Sequence, residues 1–157
     1  MTEHLHLRIM SDEEYTSYYD LATRVLAEEE SRAYRFSYDD AYQRAVEAFD
    51  RLVPDKKLSA TKQKILVIEH GPISVGFLWY DLRGSENDVY ILDVFILPAY
   101  RGQGFAKQAL LKLEEAVSQI GSKRIFLNVF CHNKIAISLY ESLNYSSCSK
   151  RMMKVLR

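Results

Sequence analysis

The residues best suited to chemistry lie in residues 96–106 (ILPAYRGQGFA), between a strongly apolar run and a helical run. The first turn of a helix has backbone N–H groups without intrahelical partners, and the helix dipole adds partial positive charge there. Gly102 and Gly104 let the backbone approach a phosphate closely, and Arg101 adds a fixed positive charge. These features predict a cradle for a pyrophosphate group.

Two other kinds of phosphate loop fit the segment poorly. A P-loop requires GxxxxGK[ST], which the sequence lacks. The dinucleotide fingerprint requires a further glycine three residues after Gly104, where Lys107 stands. Neither a nucleoside triphosphate nor a nicotinamide dinucleotide is therefore the favoured ligand.

Two segments of the chain resemble the GCN5-related N-acetyltransferase (GNAT) family. Arg101-x-x-Gly104-x-Ala106 resembles the family motif [QR]xxGx[GA], and residues 133–145 (NKIAISLYESLNY) resemble NxxAxxLYExxGF. The second segment has Asn144 where the family usually has glycine, and asparagine is the residue that best replaces glycine at a left-handed helix end. The resemblance covers about residues 88–145, and the first half of the chain agrees only in its order of elements.

The resemblance implies an N-acetyltransferase that moves the acetyl group of acetyl-CoA to a primary amine. The amine would attack directly in a ternary complex, with acetyl-CoA as donor substrate and no metal. Main-chain groups of Ile96 and Leu97 would bind the pantetheine arm in a gap where two parallel strands diverge. Arg101 and the backbone of the glycine loop would hold the pyrophosphate. The loop residues implied in donor binding are Gly102, Gln103, Gly104, Phe105 and Ala106.

The resemblance also assigns roles to Asn133, which would bond the cofactor arm, and to Tyr140, which would protonate the departing thiolate. The two residues are seven apart, so they share one face of a helix. A phenol has an ordinary pKa of about 10 and acts as an acid only when it is well positioned. Packing in the core is the alternative for Tyr140, and capping of the helix is compatible with cofactor binding for Asn133.

The general base and the acceptor stay open. Glu69, Asp81, Asp93 and His132 are candidate bases near strand ends or central strands, and a chain of water molecules is the alternative. The acceptor is unidentified: a small amine, an antibiotic, a polyamine, or a protein N-terminus or lysine. One cluster of aromatic residues has two alternative explanations, a wall of the acceptor pocket or plain helix packing. Its members are Tyr15, Tyr18, Tyr19, Tyr34, Phe36, Tyr38 and Tyr42. The acidic run of Glu28, Glu29 and Glu30 either attracts a cationic amine or is simply the solvated end of a helix.

Hydrophobic periodicity predicts the order β, α, α, β, β, β, α, β, α, β. Strands are expected at residues 5–9, 64–69, 73–82, 88–97, 124–130 and 147–156. Helices are expected after Ser11, after Ser37, from the glycine loop to Gly121, and at residues 133–143. The expected apolar face of the second helix consists of Ala41, Tyr42, Ala45, Val46, Phe49 and Leu52. The expected buried stripe of the third consists of Phe105, Ala106, Ala109, Leu110, Leu113, Ala116, Val117 and Ile120. The fold class is α+β, a mixed, mostly antiparallel sheet with one central parallel strand pair and helices on both faces.

Composition indicates one domain, residues 1–157, with a formal net charge of +0 and a pI of about 6.9. This balance favours neither nucleic acid nor membrane as a partner. Two separated cysteines and the lack of a long apolar run predict a cytoplasmic protein without a metal site. A monomer and a homodimer both stay open. The rival functions are a non-catalytic CoA-binding or regulatory module of the same fold and an interaction domain without a cofactor.

Overall fold

The computed structural model describes residues 4–157, which form a five-stranded sheet and four α-helices. The strands are β1 (Leu5–Ile9), β2 (Lys64–His70), β3 (Ile73–Arg83), β4 (Asp88–Ile96) and β5 (Ile125–Leu127). The helices are α1 (Asp12–Tyr34), α2 (Tyr38–Leu52), α3 (Phe105–Gln119) and α4 (Lys134–Ser142). The strands lie in the order β1-β2-β3-β4-β5; β4 and β5 are parallel, and the other neighbours are antiparallel. The predicted α+β class is confirmed.

The chain forms two compact units. The first comprises the chain up to Tyr18 together with Asp50–Asn128, and it contains the five strands and α3. The second comprises Tyr19–Phe49 and Val129–Arg157, and it contains α4 and most of α2. Helix α1 contributes residues to both. That residues 1–157 act as one domain stays a prediction.

Apolar side chains from both faces of the strands are buried in the first unit, since consecutive residues such as Val67 and Ile68 point to opposite faces and are both buried. The fully buried strand residues include Ile65, Val67, Ile68, Val75, Leu78, Trp79 and Val89. Helix α3 adds a buried stripe at helical spacing, namely Phe105, Ala109, Leu110, Leu113 and Val117. Ile120, predicted as part of that stripe, is instead 54% exposed and caps the helix end.

Local hydrogen bonds and left-handed residues mark the starts and ends of helices at the positions that the sequence predicts. The amide of Glu14 donates to Ser11 Oγ (3.1 Å) and that of Ser11 to Glu14 Oε2 (2.9 Å), which is the predicted capping box at α1. Gly121 ends α3 with φ +87°, and Asn144 ends α4 with φ +66°. At α4 the amide of Tyr145 reaches back to the carbonyl of Tyr140 (3.0 Å), so asparagine takes the place of glycine without loss of the cap.

Two predictions about strands are wrong. Strand β5 covers only Ile125–Leu127 rather than residues 124–130, and residues 147–156 form no strand. Met152 and Leu156 in that last run are 84% and 81% exposed. A strand forms only where a neighbouring strand accepts its backbone hydrogen bonds, and the sequence pattern does not show whether such a partner exists. The parallel pair consequently lies at one edge of the described sheet rather than at its centre.

The second unit buries less of α2 than its periodicity predicts. Ala41, Ala45 and Phe49 are buried, and Phe49 packs edge-on against Tyr19 with ring centroids 5.9 Å apart. Tyr42, predicted for the same face, is 38% exposed and stacks on Tyr38. The apolar stripe of α2 is therefore narrower than expected.

Gly76 of β3 fixes how closely the end of β4 approaches. A methyl group there would overlap the carbonyl oxygen of Phe95 and come within 2.9 Å of Ile96 Cδ1. We expect Gly76→Ala to lower the free energy of unfolding by about 1–3 kcal/mol, because the backbone of β4 must shift. Chemical denaturation measures this change. Ser74→Ala, two residues away, is the control, and equal stability of both variants would contradict close packing at Gly76.

Candidate active site

The glycine loop joins the end of β4 to the start of α3 in the first unit. A short 3₁₀ turn at Pro98–Tyr100 leads into Arg101, and Gly102 and Gly104 adopt left-handed backbone conformations with φ of +75° and +80°. A side chain is disfavoured at such angles, so both glycines are required by the shape of the loop. No amide of residues 102–107 donates a hydrogen bond within the part of the chain that the structure describes. The loop thus presents a row of N–H groups of the kind that binds phosphate oxygens.

Arg101 is exposed and is held against the end of β4. Its Nε donates to the carbonyl of Ile96 (2.9 Å), and its guanidinium carbon lies 5.2 Å from the ring centroid of Phe95. These contacts hold the side chain at the end of β4, and the residue as a whole remains exposed. A guanidinium placed in this way adds positive charge to the N–H groups of the loop.

The backbone at Ile96 and Leu97, predicted to contact the donor, already makes several hydrogen bonds. The Ile96 carbonyl accepts from Arg101, the Leu97 amide donates to Val75, and the Leu97 carbonyl accepts from Tyr100. Each carbonyl has a second lone pair, so both remain capable of accepting from a ligand.

Strands β4 and β5 pair over only three residues. The register runs from Val89 opposite Ile125 to Ile91 opposite Leu127 and then stops. At the next position, Leu92 has no partner on β3, because Ile91 faces Tyr80 while Asp93 faces Trp79. This β-bulge bends β4 where its pairing with β5 ends. Beyond Ile91, β4 therefore has a paired strand on one side only among the described residues. That a donor arm enters at this point stays a prediction.

Asp93 follows the bulge and lies in an apolar setting. Its Oδ2 accepts a hydrogen bond of 2.6 Å from the hydroxyl of Tyr18 on α1. The Tyr18 ring in turn packs edge-on against Phe77 and Trp79 of β3, with centroids 5.1 Å and 6.2 Å away. Burial raises the pKa of Asp93 to about 6, although the hydrogen bonds from Tyr18 and from the Val94 amide lower it. Asp93 is nevertheless only half-buried, so part of the residue remains accessible.

The other three candidate bases each have a charged partner. Glu69 pairs with Arg8 (2.7 Å) and Asp81 with Arg83 (2.9 Å). In the second unit His132 Nε2 lies 2.6 Å from Glu29 Oε2, and its ring stacks on Phe130. No cation pairs with Asp93 in residues 4–157.

Asn133 and Tyr140 belong to the second unit, whereas the glycine loop belongs to the first. Asn133 caps α4, because its Oδ1 accepts a hydrogen bond of 3.1 Å from the Ala136 amide. Tyr140 is half-buried, and its ring centroid lies 5.7 Å from that of Tyr145. The capping role of Asn133 is confirmed, and the roles of both residues toward the donor stay predictions.

The predicted aromatic cluster divides into a buried part and an exposed part. Tyr15, Tyr18 and Tyr19 are buried in the core, whereas Tyr38 and Tyr42 are 43% and 38% exposed. Sequence spacing did not reveal that Tyr18 bonds Asp93, since 75 residues separate them. No local signal connects two residues so far apart in the chain.

The acidic run at residues 28–30 is partly engaged. Glu29 contacts His132, and burial raises the pKa of Glu30 against the opposing influence of Arg44 and Arg151. The two separated cysteines, Cys131 and Cys148, are exposed free thiols.

Residues 4–157 contain neither a metal-binding cluster nor a membrane-spanning helix. No group of three or more His, Cys, Asp or Glu side chains there is arranged to hold a metal ion. None of the helices in that range combines the length and apolar character needed to cross a membrane.

Comparison with known proteins decides the family. The sequence model described as "Acetyltransferase (GNAT) family" matches residues 23–145. This chain belongs to the GNAT family. The match includes the glycine loop, Asp93, Asn133 and Tyr140.

Relatives of this GNAT protein occur in Bacillus subtilis (strain 168). The uncharacterized N-acetyltransferase YycN is 32% identical over 151 residues, covering 94% of this chain and 96% of its own. The uncharacterized N-acetyltransferase YdgE is 25% identical over 152 residues, covering 96% and 97%.

Solved structures agree with this assignment. The crystal structure of YycN superimposes with a TM-score of 0.90 at 30% identity, covering 98% of this chain and 99% of that one. The PaiA N-acetyltransferase from Thermoplasma acidophilum, solved in complex with coenzyme A, shares the fold with a TM-score of 0.66. It is 18% identical, and the match covers 89% of this chain and 88% of that one.

Asp93 should cost stability at neutral pH. Its pKa is about 6 when folded against an ordinary 3.8, so the folded state holds the proton more tightly. Stability therefore falls as the pH rises through this window. We expect Asp93→Asn to raise the free energy of unfolding by about 1–3 kcal/mol above pH 7 and to leave it unchanged near pH 4.

Denaturation of both proteins across this pH range measures the effect. Asp81→Asn is the matched control, because its carboxylate is paired with Arg83 and gains nothing from neutralisation. A constant difference between Asp93→Asn and wild type at every pH would contradict the raised pKa.

Proposed function

We propose that this protein is an acetyl-CoA-dependent N-acetyltransferase that acetylates a primary amine by direct attack in a ternary complex. The observation that carries the proposal is the row of unpaired amides at residues 102–107, set beside Arg101 in a chain of the GNAT family. A pyrophosphate offers oxygens to such a row and negative charge to the arginine.

The donor would be bound by the glycine loop and by the end of β4. Gly102, Gln103, Gly104, Phe105 and Ala106 supply backbone N–H groups, and Ile96 and Leu97 supply main-chain groups to the pantetheine arm. The coenzyme A complex of the Thermoplasma protein supports a donor of this kind. The arm would pass where β4 and β5 cease to pair, because beyond Ile91 no strand of the described residues pairs with that side of β4.

The transfer itself needs a proton donor for the thiolate. In our proposal Tyr140 is that acid, and Asn133 bonds the cofactor arm while it caps α4. The thiolate is a fairly stable leaving group, so one positioned phenol gives sufficient help. The amine must be close to the thioester carbon and unprotonated when it attacks.

Thermal unfolding with and without acetyl-CoA tests the donor site. Saturating acetyl-CoA should raise the melting temperature of the wild type, since a ligand that binds only the folded state stabilises it. Arg101→Glu should weaken the affinity on the order of 10- to 100-fold, because a charged hydrogen bond is replaced by repulsion. Lys112→Glu is the matched control. It makes the same charge change at an exposed position about two turns after the start of α3.

The outcomes separate the possibilities for the donor. If acetyl-CoA does not raise the melting temperature, the cofactor and the transferase function are both excluded. Equal weakening by Lys112→Glu and Arg101→Glu would show a general effect of charge rather than a contact of Arg101.

A thiol-release assay with a panel of amines tests the chemistry. The panel contains methylamine, spermidine, an aminoglycoside and a peptide with a free N-terminus and a lysine. We expect Tyr140→Phe to lower kcat by on the order of 10²-fold without changing the stabilisation by acetyl-CoA. Tyr145→Phe, which alters the neighbouring ring, is the control. Binding of acetyl-CoA without transfer to any amine would instead favour the non-catalytic module.

A further inference from the structure

Asp93 differs from the other acidic groups near the sheet in having no positive partner. Glu69 and Asp81 are neutralised by arginines, whereas the partners of Asp93 in the described chain are a phenol and a backbone amide. A half-buried carboxylate that lies among apolar side chains without a cation destabilises a fold, and such groups are concentrated at functional sites. Its surroundings are therefore complementary to a positively charged group that the folded protein does not itself supply.

The position of Asp93 on β4 is also informative. It comes directly after the bulge at Leu92, where β4 loses β5 as a neighbour. It lies three residues before Ile96, or about 10 Å along the strand, and Ile96 leads into the glycine loop. One strand thus carries a carboxylate at the start of its unpaired stretch and the proposed donor contacts at its end.

We propose that Asp93, held by Tyr18, receives the ammonium group of the acceptor and accepts its proton. The inference rests on the proposed acetyltransferase function and adds to it a general base. The acceptor amine is protonated in solution and enters the site as a cation. Asp93 would attract the cation first and deprotonate it afterwards.

The protons and electrons of this step balance. The ammonium gives one proton to the carboxylate of Asp93, and the freed lone pair forms the N–C bond at the thioester carbon. The C–S bond breaks, and its electron pair leaves on the thiolate. The amine then loses a second proton while the thiolate gains one, so the net products are an amide, the free thiol and one proton released by Asp93 to solvent.

Tyr18 acts in this proposal as a positioning residue. Burial and the adjacent carboxylate raise its pKa, so the phenol stays protonated and donates to Asp93 Oδ2. This hydrogen bond favours the ionised carboxylate and offsets part of the effect of burial. The titratable groups on this side are Tyr18 and, next to it, Tyr15 of α1, while β3 presents Phe77 and Trp79.

The test compares two amines that differ in protonation at about pH 7.5, where a carboxylate with a pKa near 6 is ionised. Methylamine is a cation there and must lose a proton before it attacks, whereas hydroxylamine is already mostly neutral. With saturating acetyl-CoA, Asp93→Asn should lower kcat/KM for methylamine on the order of 10²-fold and for hydroxylamine by less than about 10-fold. An equal loss for both amines would indicate a merely structural role and overturn the proposal.

A second variant keeps the test independent of how Asp93→Asn folds. Tyr18→Phe removes the hydrogen bond that lowers the pKa of Asp93. The acidic limb of the pH profile of kcat/KM for methylamine should therefore move to higher pH. Tyr15→Phe, a change of the same kind in the adjacent ring, should leave the limb in place. A limb that is unmoved in Tyr18→Phe, or that persists in Asp93→Asn, would overturn the assignment.

The same samples separate this inference from the proposed function. Stabilisation by acetyl-CoA should be unchanged in Asp93→Asn, because the carboxylate does not contact the pyrophosphate. If acetyl-CoA stabilises the wild type but neither amine increases thiol release, the assignment of Asp93 is overturned while donor binding stands. If acetyl-CoA does not stabilise the wild type, the proposed function fails as a whole.

Discussion

The architecture of the candidate site depends on the single unpaired residue Leu92 in β4. Backbone groups in a sheet must be paired or solvated, and an extra residue in one strand breaks the ladder at that point. Here the break coincides with the end of the parallel pairing between β4 and β5 at Ile91. The first half of β4 is an ordinary strand of the sheet, whereas its second half has one side free to meet a ligand. That free stretch leads directly into the glycine loop.

Charge is distributed in keeping with this geometry. Arg8 and Arg83 neutralise carboxylates away from the unpaired half of β4, while Arg101 turns back to the end of the strand. Asp93 alone among the candidate bases keeps its negative charge without a cation in the described chain. A protein selected only for stability would replace such a carboxylate by an apolar or neutral polar residue. Its presence in this chain despite that cost agrees with a role in binding or chemistry.

The glycine loop and the α4 segment contribute in different ways. In the loop the glycines set the backbone conformation. Our proposal assigns donor binding to the backbone amides there, with Arg101 as the main contributing side chain. In α4 the side chains of Asn133 and Tyr140 would be functional, and the cap at Asn144 keeps their helix short and regular. Asn133 shows that one side chain can serve both purposes, because its Oδ1 caps the helix while its amide nitrogen remains available as a donor.

Local patterns in the sequence determined the elements, the helix caps and the glycine loop. Alternation, helical spacing and caps such as Ser11 and Gly121 act over a few residues, so they can be read directly. The motif at Arg101 and the segments that resemble the family are also short runs of residues, so they too could be recognised from the sequence. The lengths of β5 and of the last predicted strand, and the hydrogen bond from Tyr18 to Asp93, were decided only by the tertiary structure. Strand pairing and burial depend on residues far apart in the chain, and no pattern within either segment specifies which distant partner will meet it.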